Sequence, residues 1–228
     1  MIAYKKKFYG GVAMMAAFVV ILIIMFMPIF NGQNALNYLD ALFNSISKDS
    51  AYYIPKVMKE SEKFKGNFVS VTLTMADNKQ AQQTAALFEA GGAETIVKEA
   101  NLKVTGDLGR ILANSLVDAD AMYINDGEKI SGKYGYDEKR VLFNWWKAFE
   151  GMDKDLKKQK KFNEADAISL VVKKAVESSY NYYGIEPQKI SDRWGVVLSA
   201  LIFYVFYTLW YGFGIMFMFE GWGMALGH

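Results

Sequence analysis

The chain contains no cysteine, which removes disulfides, thiolate metal sites and covalently attached c-type haem from consideration. An oxidising compartment stays compatible with that absence. Histidine is almost as scarce. The single one is His228, so neither a histidine-based triad nor a two-histidine metal site can be assembled within one chain. With three prolines and no low-complexity tract, long disorder is not expected. Neither sign of charge dominates, at 26 Lys and Arg against 24 Asp and Glu, and nothing points to a nucleic-acid partner.

Charge is also missing from two long stretches, Phe8 to Phe30 and Trp194 to Phe219. An α-helix needs about 20 apolar residues to cross the hydrocarbon core of a bilayer, so both are expected to be transmembrane helices. Lys5, Lys6 and Lys7 ahead of the first run resemble the start of a signal peptide. The run is longer than a signal core, and no small-x-small cleavage site follows in MPIFNGQNAL, which favours an uncleaved anchor. The same lysines place the N-terminus in the cytoplasm. Lys189 and Arg193 argue the other way for the second helix, but long loops translocate largely regardless of charge.

The expected organisation is a cytoplasmic N-terminus (1–7), transmembrane helix 1 (8–30), an extracytoplasmic α+β domain (31–193), transmembrane helix 2 (194–219) and a short cytoplasmic tail (220–228). The expected fold class is an α+β membrane protein, with two transmembrane helices flanking a domain made of a helical stalk and a small α+β unit. The tail EGWGMALGH is too short for an output domain, so any effect of the outer domain is expected to be local or to pass sideways through the membrane.

Within residues 31–193, Leu36, Leu39, Leu42, Phe43 and Ile46 have helical spacing, and Pro55 marks a break or a new first turn. In VSVTLTM, Val69, Val71, Leu73 and Met75 alternate with Ser70, Thr72 and Thr74, the pattern of a half-buried strand. Asp77 is placed to cap a helix that stops at Gly91-Gly92. Short β-branched pieces follow at Thr95 to Val97 and Leu102 to Thr105, then a helix capped by Asp107. AMYINDGEKISG reads as a hairpin around Asn125-Asp126-Gly127. Val141, Trp145, Phe149, Met152 and Leu156 fall on one helical face, and Ile168, Val171, Val172, Ala175 and Val176 on another. These later helices form either one long rod or a hairpin ending near Gly184. Together with the N-terminal helical segment they are expected to pack as a stalk beneath the α+β unit.

Each candidate for chemistry has a plainer reading that outweighs it. GDLGRILANS could present backbone N–H groups to an anion but lacks a phosphate-loop Lys-Ser/Thr pair, so a turn and an N-cap are expected. Asp118, Asp120, Asp126 and Glu128 do not have the spacing of a calcium loop and read as exposed hairpin ends. Trp145-Trp146 and Tyr180, Tyr182 and Tyr183 read as core and interfacial belt rather than a ligand pocket. Lys154, Lys157, Lys158, Lys160 and Lys161 could meet anionic lipid or an acidic partner, although a solvated helix face explains them as well. No catalytic, cofactor or metal residues are assigned, and an independent enzyme is not expected.

The apolar helices carry their own patterns. Tyr204, Tyr207, Thr208 and Tyr211 fall at i, i+3, i+4 and i+7, a hydroxyl stripe that favours burial against another helix. Gly10, Ala13 and Ala17 form a small-residue face that permits close approach. These faces either meet each other or meet partner helices. Gly212, Gly214, Gly221, Gly223 and Gly227 add close-contact positions, while Glu220 and His228 sit at the boundary as candidates for proton traffic or simple solvation.

The favoured expectation is a non-catalytic accessory subunit of a larger complex in the cytoplasmic membrane. Its partners would be other integral membrane subunits and the lipid bilayer, with no nucleic acid. A ligand-binding sensor module and a homo-oligomeric scaffold are the alternatives. The two-helix layout is similar to that of polysaccharide chain-length regulators, but residues 194–219 lack their proline-rich pattern and no residue roles carry over.

Overall fold

A computed structural model describes residues 2–224. The chain divides into two compact units, one of Ser50–Glu186 and the other of the chain on both sides of it. The first belongs to a mixed, helix-rich α+β class with one three-stranded sheet.

The unit built from the chain ends holds α1 (Lys5–Phe26), α2 (Ala35–Ser50) and α10 (Ile190–Gly221). By length and composition, α1 and α10 are apolar enough to cross a membrane. At 1.5 Å per residue their 22 and 32 residues measure roughly 33 and 48 Å. α1 stops at Phe26, short of Phe30, because Pro28 pushes Met27 into extended backbone (ψ 146°).

α1 and α10 lie antiparallel. Lys7 meets Glu220, Met14 meets Trp210 and Phe18 stacks on Tyr207 with ring centroids 4.2 Å apart. The buried residues of the pair are glycines: Gly11 on α1, Gly214 and Gly221 on α10. A Cβ on Gly11 would stand 2.7 Å from the backbone nitrogen of Met218 and 2.8 Å from the carbonyl oxygen of Gly214. One on Gly221 would stand 2.4 Å from the nitrogen of Phe8. Close backbone approach gives the dispersion contact that holds helices together where apolar burial gains nothing.

The Ser50–Glu186 unit begins with α3 (Ile54–Ser61), where Pro55 occupies the first turn and loses no hydrogen bond there. Then come β1 (Phe68–Thr74), α4 (Asn78–Ala90), β2 (Glu94–Lys98), β3 (Asn101–Asp107), α5 (Leu108–Tyr123), α6 (Gly127–Tyr134), α7 (Glu138–Lys158), α8 (Phe162–Val171) and α9 (Glu177–Tyr182), the last two joined by a π-turn at Val172–Val176. β1 pairs antiparallel with β3 and β3 with β2, in the order β1-β3-β2. Asp77 caps α4 by accepting from the Gln80 N–H at 2.7 Å, and Gly92 leaves that helix at φ 79°.

Two expectations are corrected. The residues read as a hairpin around Asn125-Asp126-Gly127 are the end of α5 and the start of α6. Asn125 takes the left-handed conformation (φ 65°) that ends a helix as readily as it makes a hairpin turn, and buried Ala119, Met122 and Tyr123 continue the helical period up to it. The later helices do not form a stalk. Val141, Trp145, Phe149, Met152, Leu156, Ile168 and Val176 share one core with Val69, Val71, Leu73, Leu102 and Val104 of the sheet. An amphipathic helix of this length has more apolar surface to bury than a two-helix rod can cover, and the inner face of the sheet supplies the cover. α7 turns back into α8 through Lys160 at φ 61°, so this part is a helical hairpin.

Candidate functional site

The most concentrated polar chemistry in the Ser50–Glu186 unit is buried. Asp118 lies on the same face of α5 as Ile111, Ser115 and Met122 and is fully inaccessible. Its Oδ1 accepts from Lys133 Nζ at 2.7 Å, and its Oδ2 accepts from the Tyr134 hydroxyl at 2.5 Å and from Trp145 Nε1 at 2.9 Å. Lys133 also donates to Asn114 Oδ1 at 2.8 Å, while Asn114 Nδ2 donates to the Leu87 carbonyl at 3.0 Å. Tyr136 donates to the Gln83 carbonyl at 3.2 Å, and Asn144 accepts from Gln80 Nε2 at 3.1 Å. One carboxylate thus ties α5, α6 and α7 together. Its lone pairs are committed to protein donors, the arrangement that makes a buried charge tolerable.

Burial first, and the charge of Asp118 second, push the Tyr134 hydroxyl far above the ordinary tyrosine range. Burial also raises Tyr136, to about 12. Both folded values lie above the unfolded value of about 10. The stability these groups contribute is therefore complete below about pH 10 and is lost as the pH rises through the folded values. Unfolding titrated from pH 9 to 12 should show this fall. Tyr134→Phe should lessen it, leaving the shares of Tyr136 and Tyr52, while costing about 1 kcal/mol at neutral pH. A profile identical to that of the unsubstituted chain would contradict the assignment.

The other acidic candidates disperse. Asp120 accepts from the Tyr52 hydroxyl at 2.6 Å, and burial followed by that bond raises Tyr52 to about 12. Asp126 and Glu128 begin α6. Among the described residues no three His, Cys, Asp or Glu side chains gather as a metal site would require.

The Asp107 loop is closed to an anion. The carboxylate accepts from the Gly66 N–H at 2.8 Å and the Arg110 N–H at 3.3 Å, and the Leu108 N–H is given to the Asn67 carbonyl at 2.8 Å. Gly109 packs so tightly that a Cβ there would stand 2.4 Å from the nitrogen of Lys65.

The aromatic residues are structural. Trp145 is core, Trp146 packs edge-on against Tyr180, Tyr182 packs against Tyr123, and Tyr183 donates to Glu138 at 2.9 Å. Two open grooves mark the surface of the same unit. One of about 610 Å³ runs past Glu60, Asn67, Glu164 and Asp166, where the Asn67 amide holds the Glu164 carboxyl below its usual range. The other, about 600 Å³, lies between β1 and α7 and is lined by Arg140, Lys147, Lys154 and Lys158.

The lysine run therefore splits. Lys154 and Lys158 face the second groove, Lys157 pairs with Asp153 at 2.8 Å, Lys161 donates to the Phe68 carbonyl at 3.4 Å, and Lys160 is exposed at the turn after α7.

On the apolar helices, Tyr207 donates to the Phe18 carbonyl at 3.2 Å and Trp210 Nε1 to the Met14 carbonyl at 3.1 Å. Thr208 donates within its own helix to the Tyr204 carbonyl at 2.7 Å. Tyr204 and Tyr211 are exposed, and their hydroxyls have no partner among the described residues. Of the small-residue face, Gly10 and Ala13 are exposed and Ala17 is half-buried. The close approach is made by Gly11, one position away. Gly214 and Gly221 contact α1, whereas nothing lies near Gly212. Gly223 follows α10 at φ 87°, while Gly227 and His228 lie outside the described residues. Glu220 pairs with Lys7 at 2.9 Å. Sequence reasoning missed Gly11, Trp210 and this ion pair.

No family model, curated protein or solved structure matches the chain.

Proposed function

We propose that the chain is a membrane-anchored, non-catalytic subunit that assembles sideways with other integral membrane proteins. The observation that carries this reading is the part of the α10 hydroxyl stripe that neither α1 nor α10 itself satisfies, Tyr204 and Tyr211. With α1 and α10 closed on each other through glycine, the exposed Tyr204 and Tyr211, the latter with its ring 5.3 Å from that of Phe18 on α1, have hydroxyls with no partner among the described residues. Water is absent at that depth of a bilayer, and an unsatisfied polar group there favours a neighbouring helix that can accept its hydrogen bond.

The antiparallel pairing supports one arrangement in the membrane. Lys5–Lys7 and Glu220 lie at the same end of the pair, so the start of α1 and the end of α10 are on one side. The positive-inside tendency of the three lysines makes that side cytoplasmic and leaves Ser50–Glu186 on the other.

The test is co-purification in mild detergent. Tyr204→Leu with Tyr211→Leu should insert normally yet recover about eightfold less partner, from roughly 0.6 kcal/mol for each of the two interhelical hydrogen bonds lost. Unchanged recovery would remove the stripe as an interface. Thr208→Leu serves as the control, because its hydroxyl is already satisfied within α10.

A further inference from the structure

The β1 edge of the sheet is covered over only part of its length. The bonds of the β1–β3 ladder run through odd-numbered residues of β1, as its two ends show. The Leu108 N–H donates to the Asn67 carbonyl, and the Met75 N–H donates to the Ala100 carbonyl, each at 2.8 Å. Even-numbered residues must then turn both backbone groups outward. Side chains from the end of α7 and the turn after it close the first of these. Lys161 reaches the Phe68 carbonyl at 3.4 Å, Gln159 Nε2 the Ser70 carbonyl at 2.9 Å, and Asp155 accepts from the Thr72 N–H at 3.2 Å. An edge blunted in this way resists stray pairing.

The cover ends at Thr72. Its carbonyl, and both backbone groups of Thr74, have no described partner and border the groove of about 600 Å³ whose far wall is α7. Along that wall Arg140, Lys147 and Lys154 recur every seven residues, with Lys158 one turn further, so the charges share one face. Lys147 is occupied by Glu150 at 2.9 Å, and Asp155 is committed to Thr72 and Gln159. Arg140, Lys154 and Lys158 keep their charge without a carboxylate partner among the described residues, and the half-buried ring of Phe143 lies beneath the Arg140 guanidinium at 5.2 Å. The groove therefore offers two chemistries side by side: strand-edge donors and acceptors, and cations about one side-chain length away.

We propose that this groove receives an extended, acidic segment of a partner protein as a short added strand. Its backbone pairs with the Thr72 carbonyl and both backbone groups of Thr74, and its carboxylates are held by Arg140, Lys154 and Lys158. Strand addition draws affinity from main-chain bonds and specificity from alternate side chains. The charges select an acidic sequence and speed its encounter. A lipid headgroup could use the cations but lacks the alternating donors and acceptors, in register, that a strand edge pairs with. The inference rests on the reading of this chain as a docking subunit and names the chemistry of one partner contact.

The experiment uses the full chain in detergent and a fluorescent eight-residue peptide alternating Glu with Val, with binding read by polarisation at physiological salt. The acidic peptide should bind and its lysine counterpart should not. Lys154→Glu with Lys158→Glu, both exposed and so harmless to folding, should weaken binding about tenfold or more. N-methylation of alternate peptide nitrogens should abolish binding in one of its two phases while leaving the charges intact. Equal binding in both N-methylated phases, equal binding of the lysine peptide, or binding only to phosphatidylglycerol vesicles would each overturn the proposal. The α10 stripe is untouched in these variants. A chain that keeps its membrane partner but ignores the acidic strand sinks this inference alone, whereas one whose partner recovery is unchanged by the Tyr204 and Tyr211 substitutions sinks the α10 interface and leaves the peptide result standing.

Discussion

Replacing Asp118 with alanine should destabilise the Ser50–Glu186 unit by about 3 kcal/mol, from the buried donors it would leave without an acceptor. Three donors converge on this carboxylate, and they differ in what they can do without it. Lys133 keeps 33% of its side-chain surface exposed and can swing into water. Trp145 cannot follow, because its ring is fully buried between Phe88 and Phe149, each with ring centroids 5.2 Å away. Its Nε1–H would be left unsatisfied inside the core, and the Tyr134 hydroxyl would keep only the Asn114 amide at 3.2 Å. Each stranded group carries a desolvation cost of about 1–3 kcal/mol. Asp118→Asn retains an acceptor oxygen and should fall between the two. Urea midpoints at unchanged slope measure the difference. Equal midpoints for Asp118→Ala and the unsubstituted chain would mean that the network is not what joins α5, α6 and α7.

Gly11→Leu should force α1 and α10 apart, whereas Gly10→Leu should leave them paired. The contrast comes from geometry alone. A Cβ at Gly11 meets two backbone atoms and the Met218 side chain inside 3 Å, and backbone cannot step aside as a rotamer can. At Gly10 nothing lies within 4 Å. Overpacking of this kind costs about 1–3 kcal/mol in a protein core, and the upper end applies where the obstacle is main chain. Parting the helices also breaks the Tyr207 and Trp210 bonds to α1. Because the chain has no cysteine, Met14→Cys with Trp210→Cys gives a clean cross-linking reporter. Efficient cross-linking in the Gly11→Leu background, or its loss in Gly10→Leu, would contradict the observed register.

Those two glycines also show where sequence reading stops. The β1 alternation and the Asp77 and Asp107 caps are local patterns, and each produced the element expected of it, while the apolar runs produced two helices long and apolar enough to cross a membrane, the first ending at Phe26 rather than Phe30. Gly10 and Gly11 differ by one residue on a helix whose sequence is apolar all round. Which of them faces α10 depends on the rotation of a helix some 200 positions away, and no local period encodes that. The Lys7–Glu220 pair has the same character, since it exists only once α1 and α10 run antiparallel.

The buried carboxylate was closer to legible. Asp118 falls on the apolar face set by Ile111 and Met122, but reading Ala121–Ile124 as a strand cut the helix short and moved Asp118 to a loop. Four residues are too few to separate a period of 2 from one of 3.6, and Asn-Asp-Gly suits a hairpin turn as well as a helix exit followed by a new first turn. The groove was half legible: the lysines were visible, but only the fold sorts Lys154 and Lys158 from Lys157 and Lys161. Asp155 and Gln159 act on β1 across more than 80 positions, and nothing in either segment announces the other.

Lateral assembly in the membrane is tested most directly by purifying the native protein in mild detergent and identifying the subunits that come with it. Stoichiometric recovery of at least one different integral membrane protein is the predicted result. A monomer, or an oligomer of this chain alone, would contradict it.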